Sequence, residues 1–407
     1  MPDEKWRTLL LVAGSVLLAK SLWFSASAVT PALMTAWGLD PGQVAWLTMA
    51  VQLGFVAGAL TSAMLNAADR WKPRYLFAIG ALGGALVNGL IPAFSNHLES
   101  ALAFRFLTGA CLALVYPVGM KIMATWTVRH RGLALGLLVG ALTVGSASPH
   151  LIRALGGIGA WKPVMYSASL LALAGGLLVV RFGRLGPHRA PAPPFRWRCM
   201  ADSFRDPALR RANFGYLGHM WELYAMWTWI PAFLTVAYSS PATGWTPGEA
   251  GRMASLASFF VVGLGGLGSI LAGRLADGWG RTRTTILCMA LSGSCALSIG
   301  FFMDSYPVAV TLIALLWGLT VVADSAQFSS SVSELCNPRY MGTLLTTQTC
   351  AGFLLTLLTI RLIPSLVEWA GWPAAFAVLA LGPALGCLSM WRLKNSSAAG
   401  RLAGGRG

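Results

Sequence analysis

Apolar residues in this chain fall into twelve long runs separated by short polar segments. The runs lie near 9–36, 44–65, 75–94, 101–123, 133–155 and 164–180, and then near 214–236, 253–272, 285–302, 308–328, 343–363 and 374–390. Each approaches the roughly twenty residues a helix needs to cross a bilayer. Strict apolar–polar alternation is absent, so the spanning element is the helix and not the strand of a membrane barrel. The first run follows the polar opening "MPDEKWR". It is longer than the apolar core of a signal peptide and has no evident cleavage site, so it is read as a retained first helix.

The polar segments carry a second pattern. The longest, residues 181–211, begins rich in Pro and Arg ("GPHRAPAPPFRWR") and continues "CMADSFRDPALRRA". It reads as a flexible link with a short interfacial helix. It divides the chain into a six-helix bundle over 1–180, a second bundle over 212–393, and a tail over 394–407. A common register links the halves: adding 208 to Asp69, Arg131 and Arg153 gives Asp277, Arg339 and Arg361. Charged identities at one offset point to an internal duplication.

Composition agrees with the pattern. Of 407 residues, 56% are hydrophobic and 11% charged, against about 25% charged in a soluble domain. A net charge of +16 raises the question of a nucleic-acid partner, and its distribution answers it. One set of loops holds Lys5, Arg7, Arg70, Lys72, Arg74, Lys121, Arg129 and Arg131, eight arginines from Arg181 to Arg211, and Arg274, Arg281, Arg283, Arg339, Arg392, Lys394, Arg401 and Arg406. The opposite set holds only Lys162 and Arg252. That asymmetry sets membrane orientation, with both termini cytoplasmic, and implies no nucleic acid. Seven scattered cysteines form no CxxC. Neither a disulfide, a metal centre nor any cofactor is expected.

The segment "GRLADGWGRTR", Gly273 to Arg283, follows the eighth run. A carboxylate there can face the N-terminus of a neighbouring helix and nearby arginines, latching helix ends in one conformation and releasing them in another. Gly273, Asp277, Gly280 and Arg281 stand at the spacing of the signature loop of the major facilitator superfamily, which the segment resembles. The first-half counterpart, "LNAADRWKPR", keeps Asp69 and Arg70 with basic Lys72 and Arg74, but Leu65 and Lys72 replace the two family glycines. In the fourth run, "RFLTGACLA", Arg105, Thr108 and Gly109 resemble a family motif whose intramembrane arginine is linked to proton coupling. In the fifth, Gly132, Gly136 and Gly140 recur every four residues, with Gly145 and Pro149 beyond. That spacing lets helices pack closely, here across the two halves. The Gly-Pro pair of the family's antiporter motif is missing, so that motif does not support an exporter. The resemblance spans the chain. It implies an all-α membrane protein of two pseudo-symmetric six-helix bundles, monomeric, in a bacterial inner membrane, with a small-molecule substrate, protons and membrane lipid as its partners.

The stretch "GHMWELYAMWTW", Gly218 to Trp229, places His219 and Glu222 inside an apolar run. Intramembrane charge costs about 2.5–3.5 kcal/mol at mid-span and usually faces a cavity or a partner. Glu222 lies about ten residues into the seventh run and Lys20 about twelve into the first, both near mid-depth. A Lys20–Glu222 pair across a central path is compatible with these depths, which do not by themselves establish contact. The alternative is a buried structural pair. Asp324, followed by Ser325 and Gln327, is a second acidic candidate for a proton or polar substrate. Its alternative is a helix-to-helix hydrogen bond. Arg153 and Arg361 either snorkel to the interface or, with His150, form a periplasmic anion vestibule. Tyr116, Gln52 and Gln348 supply neutral hydrogen bonds, and Trp23, Tyr224 and Trp227 could stack on a planar ligand.

The expected function is a proton-coupled secondary transporter of a small organic anion, working by alternating access. Glu222, Asp324, Arg105 and His219 are the proton-coupling candidates. The alternative is a proton-driven exporter of amphipathic or cationic compounds. An enzyme is not expected: Ser146, Ser148 and His150 lack a third member, and His219 with Glu222 makes only two metal ligands. A sensor would need an output domain larger than the central segment.

Overall fold

The computed structural model describes residues 2–127, 131–157, 159–188, 195–304 and 307–407. Arg129 and Arg189 of the basic loops lie outside them, as do the side chains of Arg131 and Gly132. All regular structure among the described residues is helical. Among the described residues, nine segments are long and apolar enough to cross a membrane. One of them, Pro338–Lys394, holds two passes that part at Gly371, where φ is 76°. The first and seventh rods, which carry buried Lys20, His219 and Glu222, complete the twelve.

Three rods are broken at depth. The first runs Pro2–Lys20, turns irregularly through Ser21–Phe24, and resumes as Ser25–Ala28 and Thr30–Trp37. The fourth breaks over 113–115, between Leu98–Leu112 and Tyr116–Ala124. The tenth breaks over 322–324, between Pro307–Val321 and Ser325–Leu335. The last two breaks lie within a residue of the 208-residue repeat. Backbone freed at membrane depth must find protein partners, because lipid offers none. In the first rod that partner is an arginine, described below.

Caps move two boundaries. The seventh helix begins at Pro207, about two turns before the apolar run: the Asp206 side chain accepts from the Ala208 and Leu209 amides at 2.8 and 2.9 Å, and proline stands at the first helical position. The eighth begins at Pro247 behind a Thr246/Glu249 capping box and continues to Trp279. The Gly273–Trp279 part of the signature segment is thus helix, and the chain turns only at Gly280, where φ is 105°. A side chain is strained at such a φ. The interfacial helix expected in the linker is instead two four-residue turns, Trp197–Met200 and Asp202–Arg205. They dock on the second bundle, where the Arg196 amide donates to Thr343 Oγ1 and Asn213 Nδ2 donates to the Ser203 carbonyl.

The halves meet along two seams. The fifth helix packs on the eighth through glycines: a Cβ on Gly140 would sit 3.4 Å from the Gly266 carbonyl oxygen, and one on Gly136 would sit 3.6 Å from Ile270 Cα. Small residues allow this approach, as the spacing indicated. Gly145 instead lies against the first helix at Leu17. On the other side the second helix, Pro41–Met64, faces the eleventh, residues 341–370.

Candidate transport path and its charged groups

Lys20 ends the first helical stretch at the seam between the halves. Its ammonium lies 3.7 Å from the centroid of the Trp23 ring and 5.8 Å from that of Phe55. Aromatic faces attract such a cation. The rings extend across the seam: Trp23 meets Tyr224 and Phe353 at 5.8 and 5.4 Å, Phe55 meets Phe353 at 4.8 Å, and Phe24 meets Trp227 at 5.9 Å. Gln52 joins the halves by accepting from Thr356 Oγ1 at 2.6 Å. Lys20, Trp23, Gln52, Tyr224 and Trp227 are therefore brought together. Sequence reasoning missed Phe55 and Phe353, because single aromatics in spans usually face lipid or packing.

Within this cluster the buried polar atoms are unevenly matched. Trp23 Nε1, Trp227 Nε1 and Gln52 Nε2 have no hydrogen-bond partner. Lys20, 2% exposed, has no hydrogen bond or carboxylate within ion-pair distance among the described residues. All four are donors. Buried polar groups are nearly always satisfied, so this seam is unusual in holding surplus donors and, among the described residues, no buried carboxylate.

The Lys20–Glu222 pair that their depths allowed does not form. Glu222 lies inside the second bundle, accepting from Ser292 Oγ at 2.8 Å and from Trp317 Nε1 at 2.7 Å. The reason is rotational. Residues 222 and 224 stand about 200° apart on a helix, and Tyr224 faces the first and eleventh helices. Glu222 therefore points the other way, toward the ninth and tenth. Ser292 and Trp317 carried no sequence signal beyond their polarity.

His219 faces the tenth helix. Its Nδ1 lies 2.8 Å from Asp324 Oδ1, both groups buried, and the ring packs on Phe328 at 5.5 Å. The contact is at ion-pair distance but not aligned as a hydrogen bond, and His219 Nε2 is unpartnered. Asp324 sits at the break of the tenth helix. Sequence reasoning named both residues separately and missed that they pair.

Arg105 serves the first helix's own backbone. It donates to the carbonyls of Leu47 (3.1 Å), Leu22 (2.8 Å) and Trp23 (2.5 Å), and to Ser25 Oγ and Asn88 Oδ1, each at 3.3 Å. The carbonyls of Leu22 and Trp23 lie in the break at Ser21–Phe24, and that of Leu47 belongs to the second helix. No carboxylate pairs with Arg105 among the described residues.

At the linker end, Arg281 donates to Asp277 Oδ1 at 3.2 Å, to Glu334 Oε1 at 2.9 Å and to Gln327 Oε1 at 2.8 Å. Gln327, expected on the path, is thus drawn into this network. Gln348 is likewise tied within its own bundle, donating to Asn213 Oδ1 at 2.9 Å. In the first half Asp69 pairs with Lys121, while Arg74 lies over its neighbour Tyr75 and Arg70 is exposed. Asn66, in left-handed conformation at φ 48°, makes the turn that glycine was expected to make. Both latches join helices of one half. Gly273 and Gly280 are buried, and the tail lies over Gly280: Arg406 donates to the Asp277 carbonyl and the Ala403 amide to Glu334 Oε2. Glu334 and Lys121 were not anticipated as latch partners. Tyr116, half-buried, opens the second stretch of the fourth helix after its break.

At the far end Arg153 is buried against the seam, and Arg361, its repeat partner, is exposed beside Asp40 and Gly42. Arg153 lines a narrow cleft with Ser27, Thr48, Thr228, Trp229 and Pro231. His150, one turn earlier, is buried with Nδ1 unpartnered. Arg361 does not line this cleft, so the three-residue vestibule reduces to Arg153 with His150 behind it.

Two six-helix bundles, broken helices at their seam and polar groups buried between them define a membrane transporter. The family model for the Major Facilitator Superfamily matches residues 11–247. The chain belongs to that superfamily and is not an enzyme. It is 25% identical over 311 residues to a gallate transporter of Pseudomonas putida, covering 67% of this chain and 66% of that one. It is 31% identical over 192 residues to the enterobactin exporter EntS of Citrobacter koseri, covering 44% of each. The matches thus span less than two thirds of these relatives' own lengths. In fold it is similar to the nucleoside transporter NupG in its D323A form, with TM-score 0.72, 13% identity, and coverage of 95% of this chain and 99% of that one.

Proposed function

We propose that the protein is a proton-coupled secondary transporter of a small organic anion, an aromatic carboxylate by preference. The two bundles rock about the seam in a bacterial inner membrane, with the linker end cytoplasmic. The observation that carries this reading is the set of unanswered donors at the seam, Lys20 with Trp23 Nε1, Trp227 Nε1 and Gln52 Nε2. A carboxylate answers a lysine ammonium with a charge-assisted hydrogen bond. An aromatic ring attached to it would lie among Trp23, Phe55, Tyr224 and Phe353 when the halves part. The similarity to a gallate transporter supports the same class.

Coupling resides in the His219–Asp324 pair at the break of the tenth helix. An imidazole nitrogen 2.8 Å from a carboxylate oxygen, both buried, is a geometry in which a proton can be held between the two groups. Glu222, with both oxygens engaged inside the second bundle, serves that bundle's packing. Arg105 fixes the broken first helix and so holds Lys20 and Trp23 in place.

The test is gallate uptake into proteoliposomes, with and without an imposed pH gradient. Uptake that follows the gradient in the wild type, and loses that dependence in Asp324→Asn while counterflow persists, is the expected result. Flux indifferent to the gradient in the wild type contradicts the coupling.

A second reading is export of amphipathic compounds, favoured by the similarity to EntS and by the aromatic lining. Its discriminator is charge. An exporter of cations keeps its transport in Lys20→Gln, whereas the anion reading loses it.

A further inference from the structure

The cleft around Arg153 lies at the far end of the seam and is formed by both halves. Ser27 and Thr48 belong to the first bundle, and Thr228, Trp229 and Pro231 to the seventh helix. Arg153 is 2% exposed and makes no hydrogen bond or ion pair among the described residues, and its Nε is buried without a partner. No carboxylate lines the cleft. Hydroxyls line it instead: Ser27 Oγ and Thr48 Oγ1 share a hydrogen bond of 2.6 Å, and Thr228 Oγ1 donates to the Tyr224 carbonyl at 2.6 Å.

A guanidinium held dry with no counter-charge is costly unless an anion answers it. Snorkelling, the bland account, suits Arg361, which is exposed. It does not suit Arg153, whose side chain turns into the protein. The two arginines are related by the repeat, yet only one faces the seam. The space before Arg153 admits a water-sized group and no ring. We infer that this cleft is a second anion-binding site, separate from the Lys20 seam, for a halide-sized ion or a single carboxylate head. Because one wall is the seventh helix, occupancy would hold the halves together at this end.

The experiment is isothermal titration of the full-length protein in detergent, in a HEPES buffer free of halide and carboxylate. Chloride and acetate are the probes. The wild type is expected to bind at least one of them saturably. Arg153→Gln is expected to weaken that binding about tenfold or more, the scale of a lost hydrogen bond to a charged group. Arg153→Lys is expected to retain part of it, and Arg361→Gln, at the exposed repeat-related position outside the cleft, to leave it unchanged. Binding of chloride alone assigns the site to an inorganic ion, and binding of acetate alone assigns it to a substrate head group. Absence of binding by either probe, or equal binding by a folded Arg153→Gln, overturns the inference. Thermal unfolding of each variant shows which are folded. Because Lys20→Gln is assayed alongside with gallate, failure here and failure of the substrate reading are separable.

Discussion

The two bundles share a fold and a 208-residue repeat, yet they bury opposite charge. Among the described residues the first buries Lys20, Arg105, Arg153 and His150 and no carboxylate, and the second buries Glu222 and Asp324 with His219. They also differ in how each charge is answered. Glu222 and Arg105 have their hydrogen-bonding atoms engaged by their own bundle. Asp324 and His219 answer each other. Among the described residues Lys20 and Arg153 have no hydrogen bond or ion pair, Lys20 resting on the Trp23 face. Burial therefore does not distinguish a scaffold charge from a ligand-facing one, but satisfaction does. The two unanswered cations both face the boundary between bundles, where a substrate must pass.

Substitutions can break this contrast. The largest effect is expected at Arg105. Arg105→Leu removes the bond to the Trp23 carbonyl outright and one of the bonds to each of the Leu22 and Leu47 carbonyls in a dry interior. At about 1–3 kcal/mol for each orphaned group, loss of folded protein is expected, read as the yield of monodisperse material. A stable Arg105→Leu would place the arginine on the path instead of in the scaffold.

Next comes Lys20→Gln. Gallate transport is expected to fall about tenfold or more, while thermal stability holds or rises, because an unpaired buried cation has been removed. Parallel loss of stability and transport would make Lys20 a structural group. Asp324→Asn and His219→Gln are expected to remove the response of uptake to a pH gradient while leaving counterflow within about threefold, since a carboxylate–imidazole pair within one half adds little to an anion site elsewhere. Glu222→Gln should change uptake by less than about twofold and cost about 1–2 kcal/mol of stability through its weakened bonds to Ser292 and Trp317. Smallest is Asp69→Asn. Its pair with Lys121 is partly exposed, and exposed pairs contribute about 0–1 kcal/mol.

Much of the architecture was legible in the sequence. Run lengths gave the twelve passes, the glycine spacing gave the contact between the fifth and eighth helices, and the repeat related the two signature segments. Depth was legible too, since counting residues along a run locates Lys20 and Glu222. Azimuth was not. At 100° per residue a helix hydrophobic on all sides gives no sign of which side faces a seam, so Glu222 was aimed at the wrong neighbour. Tyr224 and Trp227, three apart, were the available clue to the seam-facing side. The breaks in the first and tenth helices were also hidden, because neither is made by proline. In the first, Arg105 holds the break from another helix, and that is tertiary information.

The account turns on Lys20 being the group that meets the substrate's negative charge. The direct measurement is isothermal titration of gallate against wild-type and Lys20→Gln protein, both verified as folded. Saturable binding that weakens about tenfold or more on substitution is the predicted result. Equal affinity in the two proteins would contradict it.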